Sequence, residues 1–298
     1  MAAAKVVIVR GKGVVPRFGQ VEPKVLSNMY ERGLRLLSGQ NDAAAALRTI
    51  FSSSDRVGIK VNAIAAPELS TPPDVSLPLA RRLAAAGIGE KNIVVWDRTN
   101  RELKDARYRL NSDGDGFRIM GTDTAGMGYP GEPVTHLHIG SLFSAIQSSF
   151  VTASISLAVL KDHGTAGITA GLKNYFGAIH NPNKYHDDNC DPYVAELFDA
   201  PPVKSKHRLT ILDALIVQYH RGPSYHPRWA ETRESLIFSL DPVAADRIGW
   251  RIIEDLRKAK GLPSLEEEKR PPLYLRTAER MGLGTATLSE IQIIEETV

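Results

Sequence analysis

Apolar residues recur along this chain in two alternating rhythms, short Val- and Ile-rich runs and longer stretches in which they return every three or four positions. Residues 6–10 (VVIVR), 57–62 (VGIKVN) and 92–97 (NIVVWD) read as strands, and 23–37 (PKVLSNMYERGLRLL) as an amphipathic helix. A second helix opens at Thr71, Pro72, Pro73 and Asp74, with Asp74 as its cap, runs through Arg82 and stops at Gly87. TNRELKDARY continues the third strand as a helix, and residues 111–129, rich in Gly and Asp, form a loop with a short strand at FRIM. The pattern then predicts a helix at 140–147, a buried strand at 151–160, and strands at 209–216 (LTILDALI) and 235–240 (SLIFSL). Residues 241–259 form the clearest helix, since Val243, Ala244, Ile248, Ile252, Ile253 and Leu256 keep helical spacing. A surface crossing, a short helix and a closing strand complete the chain.

Strand and helix in alternation define an α/β protein, with a mainly parallel, Rossmann-like sheet or sheets flanked by helices. The 298 residues fit one unit over 1–298, or two lobes, an N-terminal Rossmann-like one (1–135) and a C-terminal α/β one (136–298). No GxGxxG follows a strand, which lowers a dinucleotide reading. The 37 basic and 34 acidic residues are mixed along the chain, which argues against nucleic acid as a partner. The longest apolar run, 150–160, is far short of the roughly 20 residues of a membrane span, so no membrane association is expected. MAAAKVVIVRG enters a strand almost at once, which gives a cytoplasmic expectation, or a periplasmic one if an export signal has been trimmed. The single cysteine, Cys190, rules out an internal disulfide and an iron-sulfur cluster held by this chain alone; it is expected to pack rather than to react.

Chemistry concentrates between Asp162 and Asp191, where three of the eight histidines and four glycines fall within one segment. His163, Lys173, His180, His186 and Asp188 are residue types that bind metals, hold anions and move protons near neutral pH. His186 with His180 and Asp188 is the candidate metal set, and His163 with Lys173 the candidate catalytic pair. Glycines 164, 167, 171 and 177 are expected to let backbone approach a ligand. Lys60 and Asn62 close one strand, Asp97 through Arg101 follow another, and His163 follows a third. Ligands collect at that edge of open α/β sheets, so the three pieces are expected to share one crevice, with Lys60, Asn62, Arg101 and Asn174 holding a small anionic ligand. NSDGDG resembles half a calcium loop but lacks the closing glutamate. His136 and His138 read as exposed strand positions, and His220 and His226 as a lid or rim.

VGIKVN, HGTAGITAGLKNYFGAIHNPNKYH, LTILDAL, Gly222 with Pro223, and SLDPVAADRIG, in that order, resemble the uncharacterised family called domain of unknown function 362, from about Val57 to Ile253. Members often accompany ferredoxin-like iron-sulfur modules, so the resemblance implies a ferredoxin-like partner. A more distant resemblance is to nickel-dependent lactate racemases, on His163, Ala166, Gly167, Gly171, Lys173, Gly177 and His186. It implies a nickel-pincer nucleotide attached at Lys173, metal ligation by His186, acid or base action by His163, and Asn100 in the place of a second catalytic histidine. Asparagine cannot exchange protons near neutral pH, so a symmetric two-base racemisation is not expected. The reading is a metal- or cofactor-dependent enzyme (nickel, iron or zinc), racemase-, isomerase- or lyase-like, acting on a hydroxy acid, keto acid or phosphate-bearing compound by proton or hydride transfer. Its alternative is a noncatalytic metal or cofactor carrier serving an iron-sulfur redox partner.

Overall fold

The computed structural model describes residues 3–298. Its strands are β1 (Ala4–Arg10), β2 (Val57–Lys60), β3 (Ile93–Asp97), β4 (Arg118–Gly121), β5 (Val134–His136), β6 (Ile139–Ser141), β7 (Ala153–His163), β8 (Gly167–Thr169), β9 (His207–Gln218), β10 (Ala230–Ser239) and β11 (Ile291–Thr297). The helices are α1 (Pro23–Ser38), α2 (Ala43–Ile50), α3 (Pro73–Ala85), α4 (Asn100–Asp105), α5 (Tyr193–Asp199), α6 (Pro201–Lys204), α7 (Pro242–Ala259) and α8 (Tyr274–Arg280). One sheet runs β11-β1-β10-β9-β7-β2-β3-β4, with β8 folded back on β7, and takes strands from both halves of the chain. Pairs β11–β1, β9–β7, β7–β2, β2–β3 and β3–β4 are parallel, whereas β10 is antiparallel to both neighbours. The chain is therefore an α/β protein with a mostly parallel sheet between helices.

All eleven residues of β7 are buried, as a central strand covered on both faces requires. Ile155, Leu157 and Leu209 face the core beneath α1, α2 and α3. Ala158, Leu160 and Leu212 face the other core, with α5, α7 and α8. Each large aliphatic side chain so enclosed contributes about 1.5–3 kcal/mol. Helix α7 begins as its sequence indicates, with Asp241 accepting the Ala244 amide at 2.8 Å and Pro242 in the first turn.

Two expectations are corrected. Pro72 rather than Asp74 stands at the N-cap of α3, and Asp74 lies in the first turn. Residues 140–147 are not a helix: β6 pairs with β5, and a π-turn follows only at Ile146–Phe150. Tertiary pairing overrides the local pattern there, since the Ser141 hydroxyl donates to the His180 carbonyl, the His180 amide donates to the Leu142 carbonyl, and Phe143 bridges Ile179.

Candidate functional site

The carboxyl ends of β2, β3 and β7 deliver Lys60, Asp97 and His163 to one crevice, on the edge where parallel sheets gather ligands. Its floor is an ion pair. Lys60 donates to Asp97 at 2.5 Å, to the Val61 carbonyl at 2.8 Å and to the Asn174 side-chain oxygen at 3.2 Å. Asp97 in turn accepts the amides of Ala63 and Arg98, both at 2.7 Å. Asn174 donates to the Lys60 carbonyl at 2.8 Å and to the Ser156 hydroxyl at 3.1 Å. An ammonium has three protons, and all three of Lys60's are taken, so Lys60 and Asn174 shape the floor rather than reach a ligand. Gly177 belongs to the same packing, because a Cβ there would stand 2.8 Å from the Lys60 ammonium and 3.0 Å from Asp97.

Lys161 and His163 come from the same face of β7, two residues apart. Lys161 is fully buried and donates to the carbonyls of Ile64 at 2.6 Å and Leu69 at 3.3 Å. It has no carboxylate partner among the described residues, and burial pulls its ammonium down to about 7. The Nδ1 of His163 accepts the amides of Thr165 at 3.2 Å and Ala166 at 3.1 Å, so Nδ1 carries the lone pair and Nε2 the proton. Burial, then the charge of Lys173, drive the His163 imidazole down to about 2, so the ring stays neutral.

The segment after β8 is pinned from below. The Asp246 carboxylate on α7 accepts the amides of Gly171 at 2.7 Å and Leu172 at 2.9 Å, fixing the turn that presents Lys173. Gly171 lies so close that a Cβ would meet Thr210 at 2.6 Å and Asp246 at 3.0 Å. The glycines at 171 and 177 thus admit protein against protein, a correction to the expectation of ligand approach. Lys173 stands 3.2 Å from His186 Nε2 and 3.9 Å from the centre of the Phe176 ring, with the Cys190 thiol as its other polar neighbour and no carboxylate. Burial lowers it to about 8. His186 Nδ1 lies 3.1 Å from the Pro182 carbonyl, which makes Nδ1 the donor and leaves the Nε2 lone pair toward Lys173. Burial and Lys173 together lower His186, whose ring stacks on His163 at 5.5 Å.

The resulting cavity, about 310 Å³, is lined by Lys60 with its partner Asp97, and by Asn62, Lys161, His163, Lys173, Asn174 and His186, with Arg98 at the rim. Asn62 brings a buried side-chain oxygen that has no hydrogen-bond partner among the described residues. Four other expected residues do not join. Asn100 is turned to hold β4, accepting the Gly121 amide at 2.8 Å and donating to Thr124 at 3.0 Å. Arg101 is exposed, and its neighbour Arg98, paired with Glu102, lines the cavity instead. His180 is exposed and packs edge-on against Tyr129, and Asp188 is exposed. Neither joins His186 in a ligand set, and among the described residues no three His, Cys, Asp or Glu side chains converge as a metal site.

Sequence reading missed Lys161, which lies one residue before the segment singled out. Its signal is a lysine breaking an apolar run at a strand's carboxyl end, two positions before His163. Of the remaining histidines, His136 pairs with Asp199 and His138 with Glu196, fastening the β5–β6 hairpin to α5. His220 lies 3.2 Å from the buried Arg257.

Sheet, crevice and buried lysines define an α/β protein with an electropositive pocket at its switch edge. The chain belongs to the family described as domain of unknown function (DUF362), whose pattern it matches over residues 57–251. No curated protein matches it. Among solved structures it is similar to a Thermotoga maritima protein, at 10% identity and a TM-score of 0.48, over 81% of this chain and 60% of that one. It is also similar to the lactate racemase apoprotein from Thermoanaerobacterium thermosaccharolyticum, at 11% identity and a TM-score of 0.45, over 78% of this chain and 55% of that one. The chain thus spans less than two thirds of the length of either.

Proposed function

We propose that this crevice binds a small organic anion, a hydroxy or keto acid or a phosphate-bearing compound, and moves a proton at it. The observation that carries the reading is the pair Lys161 and Lys173, two buried ammonium groups at one cavity whose lining carboxylate, Asp97, is paired with Lys60 rather than with either of them. Burying an unpaired charge is costly, and an incoming anion supplies the missing counter-charge. Lys161 has one proton left for such a ligand, and His163 presents Nε2–H beside it. On this tautomer we read His163 as a hydrogen-bond donor, where the resemblance implies an acid or base role. Proton movement falls to Lys173 and His186, whose Nε2 is the acceptor. The unpartnered Asn62 oxygen favours a ligand that also donates, as the hydroxyl of a hydroxy acid does.

A bare divalent ion, whether nickel, iron or zinc, does not fit, because such sites take about three or more protein donors and the His186 lone pair faces an ammonium. A nucleotide carrying its own metal donors, such as a nickel-pincer nucleotide, fits better, since it asks of the chain one imidazole (His186) and a lysine (Lys173). When bound, such a group would supply an electron-accepting metal centre. The carrier alternative, with a ferredoxin-like partner, rests on no contact or surface described above.

Calorimetric titration with phosphate, lactate and pyruvate tests the binding, and solvent-deuterium exchange into bound lactate tests the proton step. Lys161→Met and Lys173→Met are each expected to weaken anion binding about tenfold or more, and His186→Gln to abolish exchange while retaining binding. Undiminished anion affinity in both lysine variants would refute the reading, and binding without exchange in the wild type would reduce it to a carrier.

A further inference from the structure

On the other side of the 63–71 segment lies a second cavity, of about 260 Å³, with the opposite character. Its floor is the register pair Val159 on β7 and Asp213 on β9, and Val21, Leu69 and Leu215 give it apolar walls. Asp213 is only 4% exposed. Its carboxylate accepts one hydrogen bond, from the Leu215 amide at 3.1 Å, and among the described residues no cationic group pairs with it. Ser70, 8% exposed, lines the same cavity, and its buried hydroxyl has no hydrogen-bond partner among the described residues. Glu68 and Asp74 also lie on the lining, against a single cation, the exposed Arg107.

A buried carboxylate without a cation and a buried hydroxyl without a partner are each unfavourable on their own, and both belong to residues that line one cavity of apolar and acidic walls. Neither is used by the anion crevice, whose own lysines are directed elsewhere: Lys161 holds the Ile64 and Leu69 carbonyls of the dividing segment, and Lys173 lies by His186. We propose that the Asp213 cavity is a second ligand site, specific for a small free amine whose ammonium pairs with Asp213, hydrogen-bonds Ser70, and carries a compact hydrocarbon body against Val159, Leu69 and Leu215. Burial pushes the Asp213 carboxyl up to about 7, and an ammonium at contact would restore its charged form. The dimensions limit the body to a small ring or a short chain, at the low end of ligand pockets.

The test uses the full chain with two matched probes, cyclopentylammonium and cyclopentanol, followed by calorimetry or ligand-observed NMR near pH 8. The ammonium is expected to bind at least tenfold more tightly than the alcohol. Asp213→Asn, which keeps the side-chain shape, is expected to remove that preference, and Ser70→Ala to weaken ammonium binding several-fold without touching the Asp213 environment. Lys173→Met is expected to leave ammonium binding unchanged, which separates this site from the anion crevice. Equal binding of the two probes, or an Asp213→Asn protein that still prefers the ammonium, would overturn the proposal. A third probe, Nα-acetyl-lysine methylamide, distinguishes a lysine side chain of a partner protein, and tighter binding of it than of cyclopentylammonium would overturn the assignment to a free amine.

Discussion

Replacing Lys161 by methionine is expected to make the protein more stable in mild acid and less stable in alkali. The Lys161 ammonium ordinarily titrates at 10.5 and is brought to about 7 by burial. Its folded value lies below its unfolded one, so between them the folded chain binds fewer protons at this site, and the Lys161 contribution to stability rises with pH by about 1.4 kcal/mol per pH step. The penalty for the buried charge is fully present below pH 7 and is roughly 4–5 kcal/mol at its largest. Methionine removes that penalty but strands the Ile64 and Leu69 carbonyls, at about 1–3 kcal/mol each, the more distant Leu69 bond counting least. The net expectation is a gain of roughly 1–2 kcal/mol near pH 6 and a loss of similar or larger size near pH 10. Urea unfolding of both proteins at the two pH values measures this directly. Parallel curves, with the variant weaker by the same amount throughout, would refute the argument, since Lys161 would then be a plain clamp on the 63–71 segment. The same lysine gives anion binding its pH dependence: phosphate affinity should fall as pH rises through about 7, where Lys161 loses its charge, and the Lys161→Met protein should lack that step.

Lys60→Met leaves Asp97 buried and unpaired, so it is expected to cost about 3–5 kcal/mol in urea unfolding, and a loss below about 1 kcal/mol would show that the pair is not the floor described. Asp246→Ala takes the acceptor from the Gly171 and Leu172 amides; roughly 2–4 kcal/mol of stability should go, with anion affinity falling as the Lys173 turn loosens. His163→Gln keeps a donor and should bind phosphate within a few-fold of wild type, whereas His163→Phe should weaken it about tenfold; equal losses in both would contradict the donor role. His180→Ala and Asp188→Ala should change neither anion affinity nor metal content, and a metal lost in either would reinstate the abandoned ligand set.

The strands that build the site were legible because they are buried on both faces and so leave continuous apolar runs, as at 92–97 and 151–160. The edge rule then places Lys60, Asn62 and His163 together. What sequence could not supply was the destination of each polar atom. Lys60 and Asn174 look like ligand-binding residues, yet their hydrogen-bonding groups are used within the floor, while Lys161 looks like the end of a core strand and keeps a free proton in the cavity. Asn100 and Arg98 flank the extended N-cap Thr99 of α4, and Asn100 bonds β4 while Arg98 lines the crevice. The hairpin at 134–141 was legible only in part: His136 and His138 read as strand positions, but strands three residues long carry too little signal to show their pairing.

The two cavities share one wall, and that wall explains why a costly buried lysine sits between them. Lys161 holds the carbonyl of Ile64 on the anion side and of Leu69 on the Asp213 side. Any movement that draws its ammonium toward a ligand in the crevice must lengthen at least one of those bonds, and Leu69, at 3.3 Å, is the weaker. Leu69 and Ser70 are also lining residues of the second cavity, so the adjustment is felt where an amine would rest. If Lys161 couples the sites, amine affinity should change when phosphate is present, and by linkage phosphate affinity should change by the same factor when amine is present. Lys161→Met should abolish that mutual factor even where each ligand still binds, and a coupling that survives the substitution would show that the wall moves by another route.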